Sequence, residues 1–243
     1  MELESINLRL RPRVMWEGCD LGVRLLQSWL RSVFSSYLAV ALPLFALFLA
    51  TYGIAAWLPA LLIWMSKPWL DRTILFALSR ALFGTATTAA DVWEAQRVVW
   101  WSQLVQTLTL RRLTGSRSFT QPIVQLERLT GTDRRRRVRQ LVARHRGVAR
   151  TMTQAFAVAE FALVMSLISL KLWLTPHPVA MDWPPTMAGF ASGEGLELTI
   201  AYAAAVAFIE PFYVAAGFGM YLNRRVELEA WDIEQEFRRA FAA

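Results

Sequence analysis

Cysteine occurs once, at Cys19, and histidine twice, at His145 and His177. One thiol cannot form an intrachain disulfide or a thiolate cluster. His145 lies in an arginine run and His177 in a proline-rich stretch, so the two are not placed to share a metal. Lysine is nearly absent: of 26 basic residues only Lys67 and Lys171 are not arginine. The sequence also lacks GxxxxGK[ST], GxGxxG ahead of a helix, HExxH and GxSxG, which removes the common nucleotide, zinc-protease and serine-hydrolase readings. Asp20, Asp71, Asp91 and Asp232 stand apart from one another. The expectation is a non-enzymatic protein with no cofactor and no metal.

Charge is missing from three long stretches, and these define the chain. Ser32 to Ser66 is 35 residues without a charge. A single crossing needs ~20 residues, so this run predicts a tight helical hairpin over 32–70, turning near Gly53 and Trp57. Pro43 and Pro59 suit kinked helices, and Lys67 is expected to snorkel to the interface. Thr151 to Leu170 is broken only by Glu160, and Leu198 to Asn223 only by Glu210. No stretch alternates with strand period. The predicted fold is therefore all-α: a polytopic helical membrane protein with about four membrane segments.

Arginine sets the expected orientation. Residues 175–197, rich in proline and glycine, contain no Lys or Arg, whereas the first 31 residues hold five. Residues 67–150 and the tail after Asn223 are also basic. By the positive-inside rule 175–197 is an external loop between membrane helices 151–174 and 198–223, and both termini are cytoplasmic. Trp57, Trp64, Trp69, Trp173 and Trp183 suit an interfacial belt. The net charge of +7 fits an anionic membrane surface and needs no nucleic acid.

The remaining segments read as helices outside the bilayer. Residues 71–150 form an Arg-rich cytoplasmic or interfacial region, with Trp93, Trp100, Leu104 and Leu108 on one stripe. Gly115 and Gly131 read as helix C-caps, and Gln121–Pro122 as a helix start. Met15, Cys19, Gly22, Leu26, Leu30 and Val33 share a face, which marks 1–31 as an amphipathic N-terminal cytoplasmic helix. Val226, Ala230, Ile233, Phe237 and Phe241 give another over 224–243. Gly217 and Gly219 permit close helix contact.

Two carboxylates inside spans are the sharpest features. A charge at a span centre costs ~2.5–3.5 kcal/mol on insertion scales, so Glu160 and Glu210 are functional candidates by default. Their depths are similar, and two carboxyls sharing a dry site would hold a proton between them. Pro211 leaves the Ala207 carbonyl without its helical donor, which Glu210 could serve. The simpler reading is structural, with each Glu bonded to Arg80, Tyr202, Tyr213 or such a carbonyl. A second candidate is the basic run Arg134, Arg135, Arg136, Arg137, Arg139, Arg144, Arg146 and Arg150, expected to anchor the following span and to face anionic lipid.

"RPRVMWEGCDLGVRLLQSW", "SKPWLDRTILFALSRALFG", "LTLRRLTGSRSFTQPIVQLERLTG" and "GFGMYLNRRVELEAWDIEQEFRRAF" resemble a family of bacterial integral membrane proteins. Members of that family are often encoded beside MoxR-type AAA ATPases and von Willebrand A-domain-like proteins, so the resemblance implies the inner membrane and a MoxR-type ATPase system as a candidate partner. The opening segment is also distantly similar to the membrane part of glycerophosphodiester phosphodiesterases, without their catalytic part. Together these readings predict a membrane scaffold or assembly component that recruits cytoplasmic partners and contacts membrane lipids. The alternative is a small transporter or proton-coupled device using Glu160 and Glu210.

Overall fold

The computed structural model describes residues 13–101, 116–127, 129–174 and 195–229. All regular structure among them is helical. The order is α1 (Met15–Ser28), α2 (Leu30–Leu49), α3 (Leu58–Leu82), α4 (Ala89–Glu94), α5 (Arg117–Gln125), α6 (Gly131–Val142), α7 (Arg146–Leu174) and α8 (Gly195–Glu229). A 3-10 turn over Ala50–Gly53 joins α2 to α3, and a π-helical turn over Arg97–Trp101 follows α4.

The uncharged run folds as the expected hairpin. α2 and α3 pack together, and the chain reverses between Ala50 and Trp57. Pro59 opens α3 in its first turn, where the missing N–H costs nothing. Pro43, Pro68 and Pro211 lie inside helices. Three described segments are long and apolar enough to cross a membrane: Leu30–Gly53, Arg146–Lys171 and Gly195–Glu229. The other arm of the hairpin, α3, carries Lys67, Asp71, Arg72 and Arg80 instead.

α8 organises everything else. Its first half is one-sided, with Ile200 and Phe208 exposed. From Glu210 to Asn223 every residue except Phe212 is buried, because α1, α3 and α5 surround it. Small residues make this possible. A Cβ on Gly22 would overlap the Ala215 carbonyl, and one on Gly219 would overlap the Gly18 carbonyl. A Cβ on Gly217 would strike Ser118. The close contact expected of Gly217 and Gly219 is thus a crossing of α8 with α1 on one side and α5 on the other. Asn223 fixes the entry of α1: its amide accepts from Arg13 N (3.0 Å) and donates to Arg13 O (2.8 Å). The face of α1 buried on α8 includes Cys19, whose thiol burial pushes up to about 12, with the charge of Asp20 adding to the effect.

Several predicted boundaries move. α3 runs unbroken across position 70, since Leu70 to Leu75 are buried against neighbouring helices and nothing there favours a break. The N-terminal helix ends at Ser28; Trp29 leaves helical geometry, and Leu30, expected on the buried face, is exposed. α8 continues through Arg224 to Glu229 without a separate start, and Gly195 already belongs to it. The expected external loop and terminal amphipathic helix otherwise fall at 175–194 and 230–243, outside the described residues. α5 starts at Arg117 and holds Pro122 in its interior, so Gln121 does not open it. Gly131 begins α6 with φ +58° and does not end a helix. Gly115, Leu104 and Leu108 lie outside the described residues. Trp93 is exposed while Trp100, in T-shaped contact with it, is buried, and the π-helical turn over Arg97–Trp101 interrupts the predicted stripe.

Candidate functional site: a buried ionic cluster

Where α8 changes from one-sided to fully buried, five charged side chains from four helices converge. Lys67 comes from α3. Its Nζ lies 2.6 Å from Glu160 Oε2 on α7 and 2.8 Å from Glu210 Oε2 on α8. Arg117, the first residue of α5, pairs through Nη2 with the other Glu210 oxygen, and its Nε lies 2.9 Å from Asp71 Oδ2 on α3. The side chains are buried, with exposures of 0% for Asp71, 2% for Glu210, 11% for Lys67, 14% for Arg117 and 15% for Glu160.

Each element has a local reason to deliver its residue. Lys67 and Asp71 are one helical turn apart, so both reach the same neighbour. Arg117 lies over the ring of Tyr213 at 5.3 Å, a cation–π contact that fixes the guanidinium plane. The Ser118 N–H donates to the Tyr213 hydroxyl (3.4 Å), which ties the α5 N-terminus to α8. Phe156 of α7 meets the Tyr213 ring in a T-shaped contact at 5.7 Å. From α2 the Tyr37 hydroxyl is fully buried, with no hydrogen-bond partner among the described residues.

Arg72 points away from the cluster. Its Nη1 donates to the Trp100 carbonyl (3.2 Å), while Gln125 donates to the Arg72 carbonyl (2.8 Å). The space between Arg72, Arg117, Gln121 and Gln125 is about 10 Å³, room for about one water molecule.

Glu160 and Glu210 do converge, but through a cation between them. Lys67 does not reach outward as expected: its Nζ is buried between two carboxylates inside the bundle. Arg80, an expected partner, pairs with Asp91 instead (3.4 Å). Arg117 and Asp71 were not among the predicted site residues. Arg117 follows a Gly-Ser pair in a polar stretch with no apolar periodicity, so nothing local marks it as buried. Asp71, four residues after Lys67, carried a weak signal as an i,i+4 neighbour.

The basic run divides into two groups. Arg135, Arg136, Arg139, Arg144, Arg146 and Arg150 are exposed. Arg137 turns inward, donating to Glu127 (2.9 and 3.1 Å) and pairing with Glu229 of α8, so it does not face lipid. Arg134 is half-buried beside it. Arg225 joins the same group through Glu229 (2.6 Å), and the Tyr221 hydroxyl donates to Glu127 (2.7 Å). This second network fastens α6 to the end of α8.

At the far ends of α7 and α8, Lys171 pairs with Glu197. Along the helices this pair lies about 17–20 Å from Glu160 and Glu210 at 1.5 Å per residue. Trp173 beside it is exposed, as are Ile54 and Trp57 at the hairpin tip. No family model, curated protein or solved structure matches the chain.

Proposed function

We propose that the protein is a non-enzymatic assembly component of a bacterial inner membrane, built to hold a rigid helical platform against cytoplasmic partners. The observation that carries this reading is the pairing of Lys67 with both Glu160 and Glu210. An intramembrane carboxylate on a transport pathway faces water or a vacant site. Here each is closed by a cation, and the closure joins the hairpin, α5, α7 and α8 into one body.

In this reading the membrane is crossed four times, by α2, α3, α7 and α8. The Lys171–Glu197 pair, Trp173 and Trp57 mark the outer boundary. With ~30 Å of hydrocarbon, the ionic cluster then lies in the inner half of the bilayer. The buried part of α8, with α1, α5 and α6, forms the cytoplasmic platform. Arg135, Arg136, Arg139, Arg144, Arg146 and Arg150 line its edge, contacting anionic headgroups and a protein partner such as a MoxR-type ATPase.

Purification from native membranes in nanodiscs tests this. The wild type should retain a defined cytoplasmic protein that the combined Arg135→Glu, Arg136→Glu and Arg139→Glu variant loses. An identical set of co-purifying proteins from both would sink the reading.

The excess of carboxyls over cations in the cluster favours a second reading, a proton-coupled device. Reconstituted protein would then move protons or a solute across liposomes, and Glu160→Gln and Glu210→Gln would abolish that flux. Flux unchanged by both substitutions would discard it.

A further inference from the structure

Among the described residues the charges of the ionic cluster do not balance. Facing it are Tyr37 from α2, Lys67 and Asp71 from α3, Arg117 from α5, Glu160 from α7, and Glu210, Tyr202 and Tyr213 from α8. Two of these are cations and three are carboxyls. With every carboxyl ionised the buried group would carry one uncompensated negative charge. A buried charge without a partner neutralises itself by taking up or losing a proton.

Geometry selects where the proton goes. Glu160 has Lys67 at 2.6 Å and is the least buried of the three carboxyls. Glu210 has Lys67 on one oxygen and Arg117 on the other. Asp71 is fully buried, and the one ion pair it makes among the described residues is with Arg117, whose guanidinium it shares with Glu210. Neither Asp71 oxygen accepts a well-directed hydrogen bond among the described residues. What Asp71 does share with Glu210 is one guanidinium, Asp71 at Nε and Glu210 at Nη2 of Arg117, which sets the two carboxyls side by side. Two ionised carboxylates in that position repel; one proton between them makes the contact attractive.

We propose that Asp71 and Glu210 share one proton at neutral pH, making this pair a buried proton-binding site and the five-residue cluster electrically neutral. The proton resides chiefly on Asp71, because Glu210 keeps two cations. The inference stands on the cluster alone and depends on neither functional reading above. It also differs from the sequence expectation, in which Glu160 and Glu210 would be the sharing pair.

Infrared spectroscopy of the folded protein in nanodiscs at neutral pH tests it, because a protonated carboxyl has a C=O stretch that a carboxylate lacks. The wild type should show this band, and ¹³C-aspartate labelling should shift it. Asp71→Asn should remove the band, and Glu160→Gln should leave it in place. If Asp71→Asn does not fold, the labelled wild type and Glu160→Gln decide the question between them. A folded wild type without the band overturns the proposal. So does a band that survives Asp71→Asn, one that disappears in Glu160→Gln, or one that aspartate labelling fails to move.

Discussion

Lys67 Nζ lies 2.8 Å from Glu210 Oε2, which ties the hairpin arm α3 to the last long helix across 143 positions of sequence. The same ammonium holds Glu160 at 2.6 Å. A charge pair of this depth is costly to form and more costly to break on one side.

Lys67→Met should therefore destabilise the protein by about 3–5 kcal/mol, the range for removing one partner of a buried pair. Adding Glu160→Gln should recover part of that loss, because one orphaned carboxylate disappears. Reversible unfolding in mixed detergent micelles measures both, and a double-mutant cycle isolates the coupling. Equal, additive losses would show that the pair is not coupled.

The α1–α8 crossing depends on two backbones touching. Gly22→Ala or Gly219→Ala should cost about 1–3 kcal/mol through overpacking, since a Cβ at either position overlaps the facing helix. Gly53→Ala serves as the control, with nothing within 4 Å of its Cβ. Thermal unfolding should separate the two classes, with the control unchanged.

Asp91 closes a capping box at the start of α4. It accepts from Thr88 N (2.8 Å) and from the Thr88 hydroxyl (3.0 Å), and these donors hold its carboxyl below the usual range. Because the folded value is depressed, the cap's contribution is full above the unfolded value of about 3.9. It is lost as pH falls through the lower folded value. The Thr88 amide proton shift should titrate with a midpoint below about 3.9; Asp91→Asn should abolish that titration.

Arginines of the basic run should behave differently from one another. Arg137→Ala removes three close contacts to Glu127 and Glu229 and should cost about 1–2 kcal/mol of stability, tempered by partial exposure. Arg135→Ala and Arg139→Ala should leave stability nearly unchanged. They should instead weaken binding of anionic lipid, by about 1 kcal/mol per residue near a charged surface. Native mass spectrometry of lipid adducts, with melting curves, distinguishes the two effects.

Much of this was written into local sequence. A 35-residue run without charge can only be satisfied by apolar surroundings, so the hairpin and its turn near Gly53 follow from composition. The long apolar stretches around Glu160 and Glu210 likewise specify α7 and α8. Those two carboxylates stand out because a charge among apolar residues is conspicuous within one helix length. Their partners do not stand out. Lys67 sits at the end of the uncharged run, where an ordinary interfacial lysine would also sit. Arg117 lies among polar residues and resembles any surface arginine.

Which charges meet was decided only by tertiary structure. Hydropathy registers each residue against its sequence neighbours, and it carries no information about a cation supplied from 93 positions away, as in the Lys67–Glu160 and Arg117–Glu210 pairs. The same holds for the break at Trp29 and the continuity of α3 past Leu70. Both lie in how the helices pack, as the burial of Leu70 to Leu75 within α3 shows. Local sequence suffices for a helical protein rich in long apolar stretches and marked by two carboxylates within them. The packing of four helices onto one point decided that those carboxylates are neutralised, because Coulomb attraction in a dry interior acts between neighbours in space.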